Sequence, residues 1–230
     1  MRPSDIRWPI IFLIIGVYAF FSAGSIHAGD EKRPKTCPAI PLLLLSEGEF
    51  VLSAPYADVS EFKWIFPGFS ASADSGAPWI YVPVHLGLDL IVASGKARVI
   101  APADGIVEKK ELYQNEHNGQ FQVNLRIRYD SEFVYHLLFE PRANTQLLGE
   151  KQFDAIVTLQ TGQKVKQGDF LGEILDLSGG DYSCGEATVH FDIWRDTTNI
   201  CPAPYFSPEA YAGMLGLVQA KFPGAELCYP

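Results

Sequence analysis

Residues 185–194 (GEATVHFDIW) alternate between two kinds of side chain, and no other stretch constrains the fold as strongly. Every second residue from Ala187 to Ile193 is apolar, and the residues between them, including Thr188 and His190, are mostly polar. Successive side chains of a β-strand point to opposite faces of the sheet. The stretch therefore predicts a strand with one face in a core and a second, polar face that carries a histidine.

The region 81–175 consists of β-prone runs separated by the turn sequences PADG, EHNGQ, RYDSE and KQGD. The stretch 141–160 interrupts this pattern and predicts an inserted loop or a short helix. Near the end of the chain, Ser207 and Pro208 predict the start of a helix, and Pro223–Gly224 predicts its end. We therefore expect one mainly β, mostly antiparallel domain with a C-terminal helix.

The first 28 residues predict a secretory signal peptide. Two arginines precede an apolar run over residues 8–21, and small and polar residues follow it. The run is shorter than the about 20 residues that a bilayer span requires. Cleavage after Ala28 is our prediction, a position near Gly24 is an alternative, and an uncleaved N-terminal anchor is the other interpretation. The protein is thus expected to be exported, either periplasmic or secreted, with no stable membrane span in the mature chain.

The chain has four cysteines, and in an oxidising compartment an even number predicts disulfides. The sequence allows three pairings. We favour Cys184–Cys201, which would close a loop around the strand at 185–194, with Cys37–Cys228 joining the two ends. A competing interpretation makes Cys184 a metal ligand, but an oxidising compartment favours a disulfide over a thiolate.

The charge of the chain argues against two classes of binding partner, nucleic acid and anionic lipid. The formal net charge is −9, with 18 basic and 27 acidic residues. The basic residues form no cluster that could bind phosphates, so nucleic acid is excluded as an expected partner. The same acidity argues against tight adhesion to anionic lipid.

Two histidines and one aspartate are candidate metal ligands. In an extended chain His85, Gly87 and Asp89 face the same way, and the missing side chain at Gly87 would leave room for an ion between the imidazole and the carboxylate. His190 from a neighbouring strand would complete the set. Three protein ligands plus water is the open arrangement of a catalytic zinc site. His117 lies in the turn QNEHNG and is interpreted as a solvated loop residue.

Five motifs occur in the order HLGLDL, RVIAPADGIV, YHL, GQKVKQGDFLGEI and TVHFDI, over about residues 85–193. In this order they resemble the motifs of the lysostaphin-type zinc endopeptidases, which cut peptidoglycan. The resemblance implies a β-sheet groove with zinc on its floor, held by His85, Asp89 and His190. It also makes His136, in YHL, similar to one of the family's two non-ligand catalytic histidines.

The chain departs from the family at one of these motifs. The usual pattern there is His-x-His, whereas this chain has Thr188-Val189-His190. Threonine replaces the first histidine, which in the family helps to activate water or to stabilise the transition state. A hydroxyl does not accept a proton near neutral pH as an imidazole does, and such acid–base help is typically worth about 10²–10⁴-fold in rate. Glu186, Asp192 and His117 are candidates to replace it.

The expected organisation has four segments. They are a signal peptide (1–28), an N-terminal extension that packs on the core (29–80), a metallopeptidase-like β domain (81–196) and a C-terminal helical extension (197–230). The expected function is that of a zinc metallopeptidase acting on peptide cross-links of cell-wall peptidoglycan. Its expected partners are peptidoglycan peptides, with a cell-wall protein as a further candidate.

Two other interpretations stay open at this point, and a third, a carrier domain, is set aside. The main alternative is a catalytically impaired, zinc-binding homologue that serves as a peptidoglycan-binding or regulatory module. A biotinyl or lipoyl carrier domain is less consistent with the sequence, because Lys109 and Lys110 carry no clear hairpin-tip signal. The last alternative is a disulfide-stapled β domain whose histidines are all structural.

Overall fold

The described part of the chain is built mainly from antiparallel strands. The computed structural model describes residues 50–68, 85–179 and 185–229, and in these ranges it has ten strands and two α-helices. The strands are β1 (Phe62–Phe66), β2 (Leu88–Val92), β3 (Lys96–Ile100), β4 (Gly105–Gln114), β5 (Phe121–Arg128), β6 (Phe133–Ala143), β7 (Lys164–Val165), β8 (Phe170–Leu175), β9 (Thr188–Arg195) and β10 (Thr198–Ile200). The helices are α1 (Gln146–Ala155) and α2 (Pro208–Lys221).

Eight of these strands form one sheet. Its order is β1-β2-β9-β6-β5-β4-β7, with β10 paired to β9 outside this path, and all of its pairings are antiparallel. Strands β3 and β8 form a separate two-stranded sheet. The predicted mainly β, antiparallel fold with a C-terminal helix is confirmed for the described residues. The strand that carries His190, β9, lies inside the larger sheet between β2 and β6.

Strand β9 shows the alternation that its sequence predicts. Val189, Phe191 and Ile193 are completely buried in the core. His190 and Asp192 therefore lie on the opposite face of the sheet. Burying an apolar side chain of this size stabilises the fold by roughly 1.5–3 kcal/mol. A slip of one residue would move all three out of the core, so the packing of the apolar face fixes the position of the polar one.

The two helices begin where side chains cap their first turn. In α2 the Ser207 hydroxyl accepts a hydrogen bond from the Ala210 amide (3.2 Å), Pro208 is the first helical residue, and Pro223–Gly224 follows soon after the end. Both predicted ends of this helix are confirmed. In the stretch 141–160 the structure has the helix α1, capped by the Thr145 hydroxyl. Neither helix of the described residues has the length and apolar character needed to cross a membrane.

A disulfide joins Cys201 to Cys228. After α2 the chain turns back beside the end of β1, where the Gly68 amide donates to the Leu227 carbonyl (3.0 Å), and this return brings Cys228 next to Cys201. Both favoured pairings, Cys184–Cys201 and Cys37–Cys228, are therefore wrong, because each requires a sulfur that is already bonded. Cys37 and Cys184 themselves lie outside the described residues.

We expect the variant with Cys201→Ala and Cys228→Ala to lose about 3–4 kcal/mol of unfolding free energy, because the disulfide closes a loop with a sequence separation of 27. Urea unfolding followed by circular dichroism, without reductant, would measure the loss. Each single variant should lose about as much as the double variant, since either change breaks the same bond. Losses that add up across the two single variants would contradict this pairing.

Candidate metal centre

Three side chains converge beside the β2–β9 pair. Asp89 of β2 lies directly opposite His190 of β9, and His85 lies just before β2. One Asp89 carboxylate oxygen is 2.7 Å from His190 Nδ1, and the other is 3.1 Å from His85 Nε2. The potential ligand atoms of the three residues all lie within 4.8 Å of one another. This group of two imidazoles and one carboxylate could hold a metal ion.

Gly87 allows the three side chains to converge, but it does not leave room for an ion as the sequence predicted. Its φ angle is +118°, a conformation that glycine adopts readily and other residues rarely do. A Cβ atom at this position would lie only 2.6 Å from His190 Nε2 and 2.9 Å from the Phe191 carbonyl oxygen. The space left by the missing side chain is thus taken by the His190 ring rather than left for an ion between His85 and Asp89.

The second ring nitrogen of each histidine lies near an oxygen atom of another residue. His85 Nδ1 lies 3.2 Å from the Pro67 carbonyl oxygen, and His190 Nε2 lies 3.4 Å from an Asp192 carboxylate oxygen. Histidines that bind metals commonly donate their second N–H to a carbonyl or carboxylate, which fixes the tautomer and the ring orientation. The two rings therefore present His85 Nε2 and His190 Nδ1 to Asp89, and this donor set fits a divalent metal ion.

The pKa values of the candidate ligands reflect their mutual contacts. Burial alone would raise the pKa of Asp89, but the charge of His85 and hydrogen bonds from His190 and His85 lower it overall. Burial alone would lower the pKa of His190, but its contacts with the Asp192 and Asp89 carboxylates raise it well above the usual value. Metal binding requires a neutral imidazole. An incoming metal ion must therefore displace a proton that these two carboxylates stabilise.

His136 lies beside the candidate ligands and is linked to them through Asp192. It lies on β6 directly opposite Asp192 of β9, and its Nδ1 is 3.3 Å from the second Asp192 carboxylate oxygen. Burial lowers the pKa of His136, and the Asp192 charge offsets part of that effect. Its Nε2 is buried and has no hydrogen-bond partner among the described residues. The site thus contains a buried imidazole nitrogen that no described residue engages in a hydrogen bond.

Two charged side chains lie beside Thr188, where the resemblance leads one to expect a histidine. Thr188 is only 1% exposed, and its hydroxyl donates to the Glu186 carbonyl oxygen (2.8 Å). Glu140 of β6 lies directly opposite Thr188. Arg142 donates from Nη2 to the Thr188 hydroxyl (3.3 Å), and its Nη1 lies 3.7 Å from a Glu140 carboxylate oxygen. A carboxylate and a guanidinium therefore flank Thr188.

Sequence reasoning did not find Glu140 or Arg142. A signal for Glu140 was present, because it lies four residues after His136 and side chains two and four apart in a strand share a face. The β pattern was predicted to be interrupted at residues 141–160, whereas β6 continues to Ala143. Burial and then the charge of Asp89 raise the pKa of Glu140. Arg142 has a φ angle of 63°, and sequence gives little warning of that conformation in a residue other than glycine.

Other sequence candidates lie apart from this group. The Glu186 carboxylate pairs with Lys63, and His117 is exposed in the turn between β4 and β5. Neither position supports a role as the missing proton acceptor. Lys109 and Lys110 lie in the middle of β4 rather than at a hairpin tip, so the carrier-domain interpretation gains no support.

No family model matches this chain, and no curated protein matches it either. The interpretation of the site therefore depends on its geometry and on the order of its motifs. The geometry supports a metal-binding group with a histidine and two further charged side chains beside it.

We expect the purified protein, stripped of metal and then titrated, to bind one divalent transition-metal ion per chain. His85→Ala and Asp89→Ala should each abolish stoichiometric binding, because each removes a ligand from a set of three. Calorimetric titration with elemental analysis would measure this. His117→Ala is the matched control and should bind like the unaltered protein. Full binding by both ligand variants would refute the site.

Proposed function

We propose that this chain is an exported zinc metallopeptidase that cleaves peptide cross-links of cell-wall peptidoglycan. The observation that carries the proposal is the convergence of His85, Asp89 and His190 beside a buried histidine, His136. Two imidazole nitrogens and one carboxylate form a ligand set found in catalytic zinc sites, where a fourth position stays open. The order of the five motifs supports the lysostaphin-type family and, with it, peptidoglycan as the substrate.

The chain's own residues have distinct tasks in this proposal. Zinc, when bound, polarises the scissile carbonyl group and lowers the pKa of a water molecule. The Pro67 carbonyl and the Asp192 carboxylate hold the two ligand imidazoles in orientation. His136, whose Nδ1 faces Asp192, can bind the carbonyl oxygen of the substrate or move a proton at Nε2.

Two features support export. The apolar run near the N-terminus is typical of a signal peptide. The Cys201–Cys228 disulfide is of the kind that persists in oxidising compartments such as the periplasm and the extracellular space. Peptidoglycan peptides are accessible from both of these compartments.

Digestion of purified peptidoglycan by the mature chain (residues 29–230), with products identified by mass spectrometry, tests the function. We expect new peptide ends, because the site can supply a metal ion and a proton-transferring histidine. They should be absent from a chelated sample and from a His85→Ala sample. Products that persist in both controls would show that cleavage does not depend on this site.

Thr188 favours a second candidate function. A chain that lacks one acid–base group could use the same site, with zinc bound, to hold a wall peptide or a protein partner without cutting it. In that case folded, zinc-loaded protein would release no peptides but would still sediment with peptidoglycan. The digestion experiment thus separates the two candidates.

We expect His136→Ala to lower kcat by about 10²–10⁴-fold, the usual contribution of one acid–base group. KM and the zinc content should change little, because His136 does not belong to the ligand group. Steady-state kinetics on a soluble peptide from the digestion, together with elemental analysis, would measure both. His117→Ala should behave like the unaltered protein. A loss of zinc in His136→Ala would assign that residue to the metal site instead.

A further inference from the structure

With threonine at position 188, the proposed peptidase has no histidine there to accept a proton from the attacking water. In hydrolysis of a peptide bond, the attacking water must pass a proton to a base, and a threonine hydroxyl is not a base near neutral pH. A substitute must lie on the polar face of the sheet, close to both Thr188 and His190. The inference that follows rests on the proposed function and concerns that substitute.

Glu140 meets this requirement through strand register. It lies directly opposite Thr188 in the β6–β9 pair, and Leu138, two residues earlier, lies opposite His190. Directly opposed residues of antiparallel strands have Cβ atoms about 4.5–5.5 Å apart. Because side chains alternate along β6, Glu140 shares a face with His136. Its carboxylate therefore extends from the neighbouring strand toward the place where the histidine would be.

The surroundings of Glu140 leave part of its side chain exposed. The side chain is 20% exposed, and it interacts electrostatically with all three candidate ligands. Its closest ion-pair partner in the described residues, Arg142 Nη1, lies 3.7 Å away, which is too far for a hydrogen bond. No described residue donates a hydrogen bond to the Glu140 carboxylate. A half-buried carboxylate without donors is available to accept one from water.

Arg142 holds a positive charge at a fixed place beside this carboxylate. Its guanidinium donates to the Glu186 carbonyl oxygen (2.5 Å), to Gln120 Oε1 (3.3 Å) and to the Thr188 hydroxyl (3.3 Å). The β5–β6 register shifts next to this position, and the left-handed backbone of Arg142 costs about 1–2 kcal/mol in a residue other than glycine. Strain of this kind is often retained at functional sites.

We propose that Glu140 is the catalytic proton acceptor that replaces the histidine missing at position 188. As the water oxygen forms its bond to the scissile carbonyl carbon, one water proton passes to the Glu140 carboxylate. When the carbon–nitrogen bond breaks, that proton is returned to the leaving nitrogen. The products are a carboxyl group and an amine, and Glu140 ends in its original state. Arg142 is the positioning residue that stabilises the carboxylate form.

Glu140→Gln tests this role because glutamine keeps the shape of the side chain and removes its ability to accept a proton. We expect kcat to fall by about 10²–10⁴-fold with KM and zinc content unchanged. The matched control is Glu173→Gln, which removes a carboxylate paired with Lys96 in the small sheet and should leave kcat unchanged. Unaltered kcat in Glu140→Gln would overturn the proposal. Loss of zinc from this variant would also overturn it, because Glu140 would then belong to the metal site.

Binding of acetohydroxamate to the zinc-loaded protein gives a second readout that needs no turnover. A hydroxamate binds zinc as an anion, and the proton it releases is held by a nearby base. We expect Glu140→Gln to weaken this binding by about tenfold or more, the loss of one hydrogen bond to a charged group. Calorimetry on the unaltered protein, Glu140→Gln and Glu173→Gln would measure it. Equal affinities for all three proteins would overturn the proposal.

The two experiments also separate this inference from the proposed function. If the unaltered protein cuts no peptidoglycan, the peptidase function fails whatever Glu140 does. Weaker acetohydroxamate binding by Glu140→Gln would then still show a base at the zinc site. Cleavage by the unaltered protein together with normal kcat in Glu140→Gln would retain the function and reject Glu140.

Discussion

The site depends on one carboxylate, that of Asp89, which contacts two histidines at once. It faces His190 because the two residues are direct partners in the β2–β9 pair, and it reaches His85 with its other oxygen. Each oxygen therefore fixes one imidazole. The antiparallel register that creates this arrangement is itself fixed by the apolar residues on the opposite face of β9, which are completely buried. The geometry of the candidate metal site is thus a consequence of core packing.

Asp192, two residues after His190 on β9, also contacts two histidines. One of its oxygens lies 3.4 Å from His190, and the other lies 3.3 Å from His136 on the neighbouring strand. Asp89 of β2 and Asp192 of β9 thereby contact three imidazoles. At 8% exposure Asp192 is nearly buried, so its charge is screened less than a surface charge would be. Its contacts orient the ring that would bind metal and the ring that would handle protons.

The sequence predicted the parts of this structure that depend on local periodicity and turn chemistry. The alternation in β9 and the caps of α2 belong to this class, and both are present as expected. The His85–Asp89–His190 group was also predicted, from the alternation of side chains in an extended chain and from motif order. The pairing of Cys201 with Cys228 was missed because it depends on the return of the chain after α2, a long-range contact without a local signal. Arg142 was missed because its left-handed backbone is imposed by tertiary structure.

The Thr188 position shows why a motif read along one strand gives an incomplete account of a site in a sheet. A side chain on the polar face has neighbours two residues away in its own strand and others directly across from it in the next strand. At position 188 the side chain is a threonine, and a residue of the adjacent strand lies directly across from it. Here that residue is Glu140, with Arg142 beside it. In the proposed peptidase, threonine at position 188 therefore does not by itself exclude acid–base chemistry, because the register places a carboxylate directly across from it.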